Sequence, residues 1–148
     1  MKDHFSTFDI ARILHIKRNT LQPWLDAKFI TPTIQKATRR GTKNIFAVTD
    51  LYKIELFRRL LLCGISRNEA SFYINVNFDN VGPAATQFKY ALISRAKMEQ
   101  GVDSGIFTDI RLTKEAPKVV LKSSDVYGLV LNLLTVKEDV DQLIKSRG

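Results

Sequence analysis

Apolar residues recur at helical spacing at the start of the chain: Ile10, Ala11, Ile13 and Leu14, then Leu21, Trp24 and Leu25. Such spacing gathers side chains on one face of a 3.6-residue helix. Ser6 and, three residues on, Asp9 supply a capping hydroxyl and a first-turn carboxylate, so a first helix is predicted from about Thr7 to Leu14. His15-Ile16-Lys17 reads as a turn. The second helix is predicted to start near Asn19 or Thr20, because Pro23 is tolerated only where its missing N–H would lack a partner. On that helix Leu21, Trp24 and Leu25 face inward, with Trp24 a core anchor, and Arg18, Asn19 and Gln22 face out.

From Thr33 to Val48 the pattern changes to two short strands around a basic, glycine-containing loop, a hairpin whose tip carries Arg39, Arg40 and Lys43. Thr49 and Asp50 are expected to cap a third helix that ends at Gly64, and Ser66 with Glu69 has the capping-box spacing of a fourth. Residues 77 to 83 read as a connector, with Pro83 opening a helix from about Ala84 to Glu99 that Gly101 ends. Ile106 to Thr113 and Lys118 to Lys122 read as a hairpin. Ser123 or Ser124 would then cap a terminal helix in which Val126, Leu129, Leu133, Val136, Val140 and Leu143 fall at the a and d positions of three heptads. Such a stripe either pairs two chains or packs on this chain's own hairpin, and Val130, Leu131, Leu134 and Ile144 widen it beyond a two-helix seam. The expected fold is therefore mainly α: a winged helix-turn-helix with a small wing hairpin over residues 1–76, then a C-terminal α+β part (helix, hairpin, long terminal helix) over 77–148 that serves dimerisation or regulation.

Charge sharpens this division. The net charge of the 148-residue chain is +8, and residues 1 to 70 hold 13 basic against 6 acidic residues (+7), whereas residues 71 to 148 hold 10 against 9 (+1). Between Arg12 and Lys43 there are eight basic residues and one acidic residue, Asp26. That asymmetry suits a phosphate-binding surface, although a solvated basic face has the same composition. The single cysteine, Cys63, lies in the apolar run from Leu60 to Gly64, where a small buried hydrophobe and no internal disulfide are expected. The N-terminus lacks an apolar signal core and no segment is long and apolar enough to cross a bilayer, so the expectation is a cytoplasmic protein with no membrane partner. His4, His15 and Cys63 are scattered, without metal-ligand spacing or a phosphate-cradling glycine motif, so neither an enzyme nor a cofactor is expected.

An exposed helix end carrying Arg, Asn and Gln offers donors and acceptors that match base edges in the DNA major groove, and a basic hairpin tip beside it suits phosphates or the minor groove. Phe5 to Leu14, the Thr-Leu-Gln-Pro-Trp-Leu of Thr20 to Leu25, Phe-Ile-Thr-Pro at Phe29 to Pro32, Val48 to Ile54 and Cys63 to Ala70 together resemble the winged DNA-binding domain of the MerR transcription regulators. The resemblance covers about the first 72 residues. It implies that Lys17, Arg18, Asn19, Thr20 and Gln22 contact bases or nearby phosphates, that Lys36, Arg39, Arg40 and Lys43 serve the wing, and that Tyr52 and Arg58 or Arg59 support phosphate contacts. The family's usual Arg and Tyr in the second helix stand here as Gln22 and Trp24. The implied protein is a homodimeric regulator of double-stranded DNA, open to an effector or protein partner. The alternative is an architectural or recombination-accessory protein, or a protein-interaction module that uses the C-terminal half.

Overall fold

A computed structural model describes residues 3–78, 89–97, 106–118 and 125–147 of the chain, which form an α+β protein. The elements are β1 (Phe5–Ser6), α1 (Thr7–Ile13), α2 (Arg18–Asp26), β2 (Ile45–Phe46), α3 (Val48–Leu62), α4 (Arg67–Phe78), β3 (Tyr90–Lys97), β4 (Ile106–Thr113), β5 (Asp125–Asn132) and α5 (Leu133–Arg147). They divide into two compact units, Met1–Asn80 with Val136–Gly148 and Val81–Thr135. Residues 136–148 thus group with the N-terminal unit, whereas the sequence reading left them with the second half.

In the N-terminal unit local chemistry sets the boundaries. The Asp9 N–H donates to Ser6 Oγ at 3.1 Å, and Asp9 Oδ2 accepts from the Ser6 N–H at 2.8 Å and from its hydroxyl at 2.9 Å, the reciprocal cap expected of α1. Between α1 and α2 the chain reverses at His15, whose φ is +55. Gly64 at φ +86 ends α3, a conformation that costs a glycine little. Beyond it the Glu69 N–H donates to Ser66 Oγ at 3.2 Å and starts α4.

The central element is α3. All seven residues from Leu51 to Phe57 are buried, Lys53 and Glu55 among them, because other elements of the unit cover the helix on several sides. Trp24 of α2 stands edge-on to Phe57 with ring centroids 4.9 Å apart, and Phe29 stacks on the same ring at 5.9 Å. From α5, Asp141 accepts the Tyr52 hydroxyl at 2.5 Å and Asp139 accepts Arg59 at 2.7 Å. Thr49 and Asp50 do not cap α3 as expected. The cap is Ala47, and Asp50 sits in the first turn, where Oδ2 accepts the Ala47 N–H at 2.9 Å. Cys63 is exposed rather than buried, since it follows the last apolar turn that α3 turns inward.

The second unit departs most from the sequence pattern. The segment expected as a helix over 84–99 holds instead the central strand of an antiparallel sheet ordered β4-β3-β5. Tyr90 pairs with both Thr113 and Asn132, and Lys97 with Ile106, with an irregularity between Arg95 and Ala96 on the β5 side. Ala91 and Ile93 are wholly buried on one face of β3. The partner of β4 among the described residues is β3; of the Lys118–Lys122 run expected to pair with it, residues 119–122 fall outside the described residues, as do 79–83 of the expected connector. The terminal helix begins at Leu133, nine residues later than a Ser123 cap and eight later than a Ser124 cap would start it, both serines falling outside the described residues, and the Thr135 N–H donates to Asn132 Oδ1 at 3.1 Å as its cap. Consequently the expected heptad seam is not one helix face. Val126 and Leu129 lie on β5, Leu133, Val136 and Val140 are buried within the single chain, and Leu143 is half-buried.

Candidate nucleic-acid interface

The helix α2 separates its faces cleanly. Leu21 is wholly buried and Trp24 and Leu25 nearly so, while Lys17, Arg18, Asn19 and Thr20 are all exposed. Burying a leucine of this kind contributes about 1.5–3 kcal/mol, enough to fix which face the helix shows to water. Lys17 is the cap and makes no side-chain capping bond, so the first N–H groups and the positive end of the helix dipole point outward beside two cationic side chains. The helix starts at Arg18, slightly earlier than predicted, and Pro23 lies inside it. Its ring removes the N–H that would reach the Asn19 carbonyl, a loss tolerated on an exposed face.

The four residues do not stand equal with Gln22. The Gln22 side-chain amide donates to Asp26 Oδ1 at 2.9 Å, so meeting a base would first require releasing that bond. The side chains of Lys17, Arg18, Asn19 and Thr20 hold no hydrogen bond or ion pair among the described residues.

The segment from Thr33 to Phe46 is an arm rather than the expected two-stranded hairpin. Its backbone pairing is one antiparallel bridge, Gln35 with Ile45, whose N–H groups donate across at 3.1 and 2.8 Å, and β2 pairs with β1. Side chains do the rest. Gln35 donates to the Lys43 carbonyl at 2.8 Å, Asn44 Oδ1 accepts the Ala37 N–H at 2.8 Å, and Thr42 Oγ1 accepts the Thr38 and Arg39 N–H groups at 2.9 and 3.1 Å. At the tip the Thr42 N–H closes on the Arg39 carbonyl at 3.1 Å, with Gly41 at φ +90 in the position where such a turn needs positive φ. Lys36, Arg39, Arg40 and Lys43 are left exposed without partners among the described residues.

Both pieces are fastened to one helix. The root of the arm is held by Asp50, which is wholly buried and accepts the Thr33 N–H at 2.9 Å and the Thr33 hydroxyl at 2.5 Å, with Lys53 Nζ 3.9 Å away. Trp24 is held by Phe57, seven residues and two turns along α3, or about 10 Å of helix rise. One rigid element therefore sets α2 and the arm root.

Tyr52, Arg58 and Arg59 do not join this surface. Tyr52 is buried against Asp141, and its hydroxyl is pushed above its ordinary value, chiefly by burial and then by the hydrogen bond and charge of Asp141. Arg58 and Arg59 both donate to the buried carboxylate of Glu55, and Arg59 also to Asp139. Burial lowers the Arg59 guanidinium, but the two carboxylates outweigh it and hold it above its usual value. The carboxylate four residues before Arg59 was the sequence signal for this pairing. Arg12 and Lys28, not singled out from sequence, are also exposed. His15 is exposed and its ring nitrogens lie 3.2 and 3.3 Å from the Arg147 guanidinium. Comparison with protein-family models and with curated proteins finds no match for the chain. No helix among the described residues is long and apolar enough to cross a membrane.

Proposed function

We propose that the chain is a cytoplasmic, sequence-specific DNA-binding transcriptional regulator, built on a MerR-like winged helix-turn-helix and without catalytic activity. In this reading α2 lies in the major groove and the arm from Thr33 to Phe46 is the wing on the phosphate backbone. The observation that carries it is the outer end of α2: four adjacent polar residues, two of them cationic, exposed and without acidic partners among the described residues, on a helix whose other face is sealed by Leu21, Trp24 and Leu25. Arg18 suits guanine, Asn19 suits adenine, and the partner-free cations of the arm suit phosphate. The proposed unit on DNA is a pair of chains, because one helix end of this size reads few base pairs and two half-sites multiply affinity. Val136 and Val140, buried in their own chain, are not the pairing surface.

Selection of bound fragments from random double-stranded DNA tests this reading. An enriched inverted repeat with half-sites about one helical turn apart, or a multiple of it, is the expected result. Bending of DNA without any enriched sequence would favour the architectural alternative, and no retained DNA at low salt would overturn both.

A further inference from the structure

Within the N-terminal unit an open cavity of about 890 Å3 lies between α1, the start of α3 and the last turns of α5. Phe5, Ile13, Val48, Tyr52 and Ile144 give it an apolar floor, and its volume is in the range that accepts small organic molecules. Its rim carries three carboxylates and three cations, but they are not equally available. Asp9 is engaged in the Ser6 cap and Asp141 accepts from Tyr52, which leaves Asp3 as the one rim carboxylate without a partner among the described residues. By contrast Arg12 and Lys145 are exposed and unpartnered among those residues, and Arg147 faces the His15 ring, which carries no negative charge. The formal charge at the mouth is balanced, since hydrogen bonds from neutral groups leave Asp9 and Asp141 charged; what stands free there are the donors of Arg12 and Lys145, which no carboxylate among the described residues holds, above an apolar floor.

We propose that this cavity binds a small amphipathic carboxylate, its apolar body on the Phe5, Val48 and Ile144 floor and its anionic head at Arg12, Lys145 and Arg147. The binding itself does not depend on the DNA reading. A head group that draws Arg147 from His15 would be felt at the turn between α1 and α2, so such a ligand has a physical route to the outer end of α2.

The test uses the full chain and 2-naphthoate as probe, with 2-naphthol as its neutral counterpart and 2-naphthylmethylamine as its cationic one. Calorimetry is expected to give saturable 2-naphthoate binding at or below roughly 1 mM, with 2-naphthol at least about tenfold weaker, the amine silent, and affinity falling with salt. The His15 ring signals in NMR are expected to move with the same midpoint. The double variant Arg12→Ala, Lys145→Ala changes exposed side chains only and is expected to weaken 2-naphthoate at least about tenfold, while Val48→Trp, at a partly exposed position, fills the floor and removes binding. Equal affinity for naphthoate and naphthol, undiminished binding to the double variant, or no saturable binding would each overturn the proposal. DNA selection on the unliganded chain is a separate readout, so failure of one reading does not mask the other.

Discussion

The N-terminal unit carries two groups of cations, and they have opposite fates. At the outer end of α2 and on the arm, Lys17, Arg18, Lys36, Arg39, Arg40 and Lys43 are exposed with no acid to hold them among the described residues. At the far end of α3, Arg58 and Arg59 converge on Glu55, and Asp139 of α5 closes the cluster. Residue type and net charge do not separate the groups; only the carboxylates do. A cation already holding a buried acid is part of the fold, and one whose nearest partner is water remains available to a phosphate.

The largest expected effect concerns the joint between the two regions. Asp50→Asn keeps the shape of the buried side chain but replaces an acceptor of three donors with an amide, and is expected to cost about 2–4 kcal/mol in urea unfolding. A cost under about 0.5 kcal/mol would show that Asp50 does not fasten the arm. The next effect distinguishes the cation groups by DNA binding. Arg18→Ala or Asn19→Ala is expected to cost about 1–3 kcal/mol at particular base pairs, whereas Arg39→Ala or Lys43→Ala weakens all sequences and reduces the salt slope by about one each. Arg58→Ala is expected to leave affinity and slope unchanged at matched folding, and a slope altered as much as by Arg39→Ala would erase the contrast. The smallest effect is a pH effect at Tyr52. Its hydroxyl is raised in the folded state, so its contribution is fully present below the ordinary tyrosine value of about 10 and is lost as pH rises past it. Urea midpoints should fall more steeply for the wild type than for Tyr52→Phe between about pH 9 and 11, with a difference below about 1 kcal/mol at neutral pH. Parallel curves would assign that alkaline loss to other groups.

Those features that depend on neighbours in sequence were legible. The Ser6 and Asp9 cap, the Ser66 start of α4, the Gly64 stop and the anchoring of Trp24 each follow from bonds or contacts spanning a few residues, or from helical spacing. The failures are non-local. Tyr90–Lys97 contains Ala, Leu, Lys and Arg, all good helix formers, yet as the middle strand it exchanges backbone bonds with β4 on one side and β5 on the other, and that pairing outweighs a propensity of a few tenths of a kcal/mol per residue. At β5 two signals were present and outvoted by the heptad: Gly128 within Val-Tyr-Gly-Leu-Val-Leu, and Asn132 in a capping position. For the candidate interface, the exposed end of α2 was readable from its pattern. The Gln22 bond to Asp26 and the hold of Glu55 on Arg59 had only their four-residue spacing as a signal, and Asp139, 80 residues from Arg59, had none.

Two backbone reversals set off α2. His15 before it has φ +55 and Lys28 after it has φ +62, left-handed conformations that each cost an ordinary side chain about 1–2 kcal/mol. They act as bookends: the nine-residue helix cannot lengthen by a turn at either end without undoing one of them. Under the proposed reading this has an evolutionary meaning. Substitutions at Arg18 and Asn19, which bury nothing, alter what the helix recognises while its length and seat stay fixed, so new operators are within reach of point mutation and the fold need not be renegotiated.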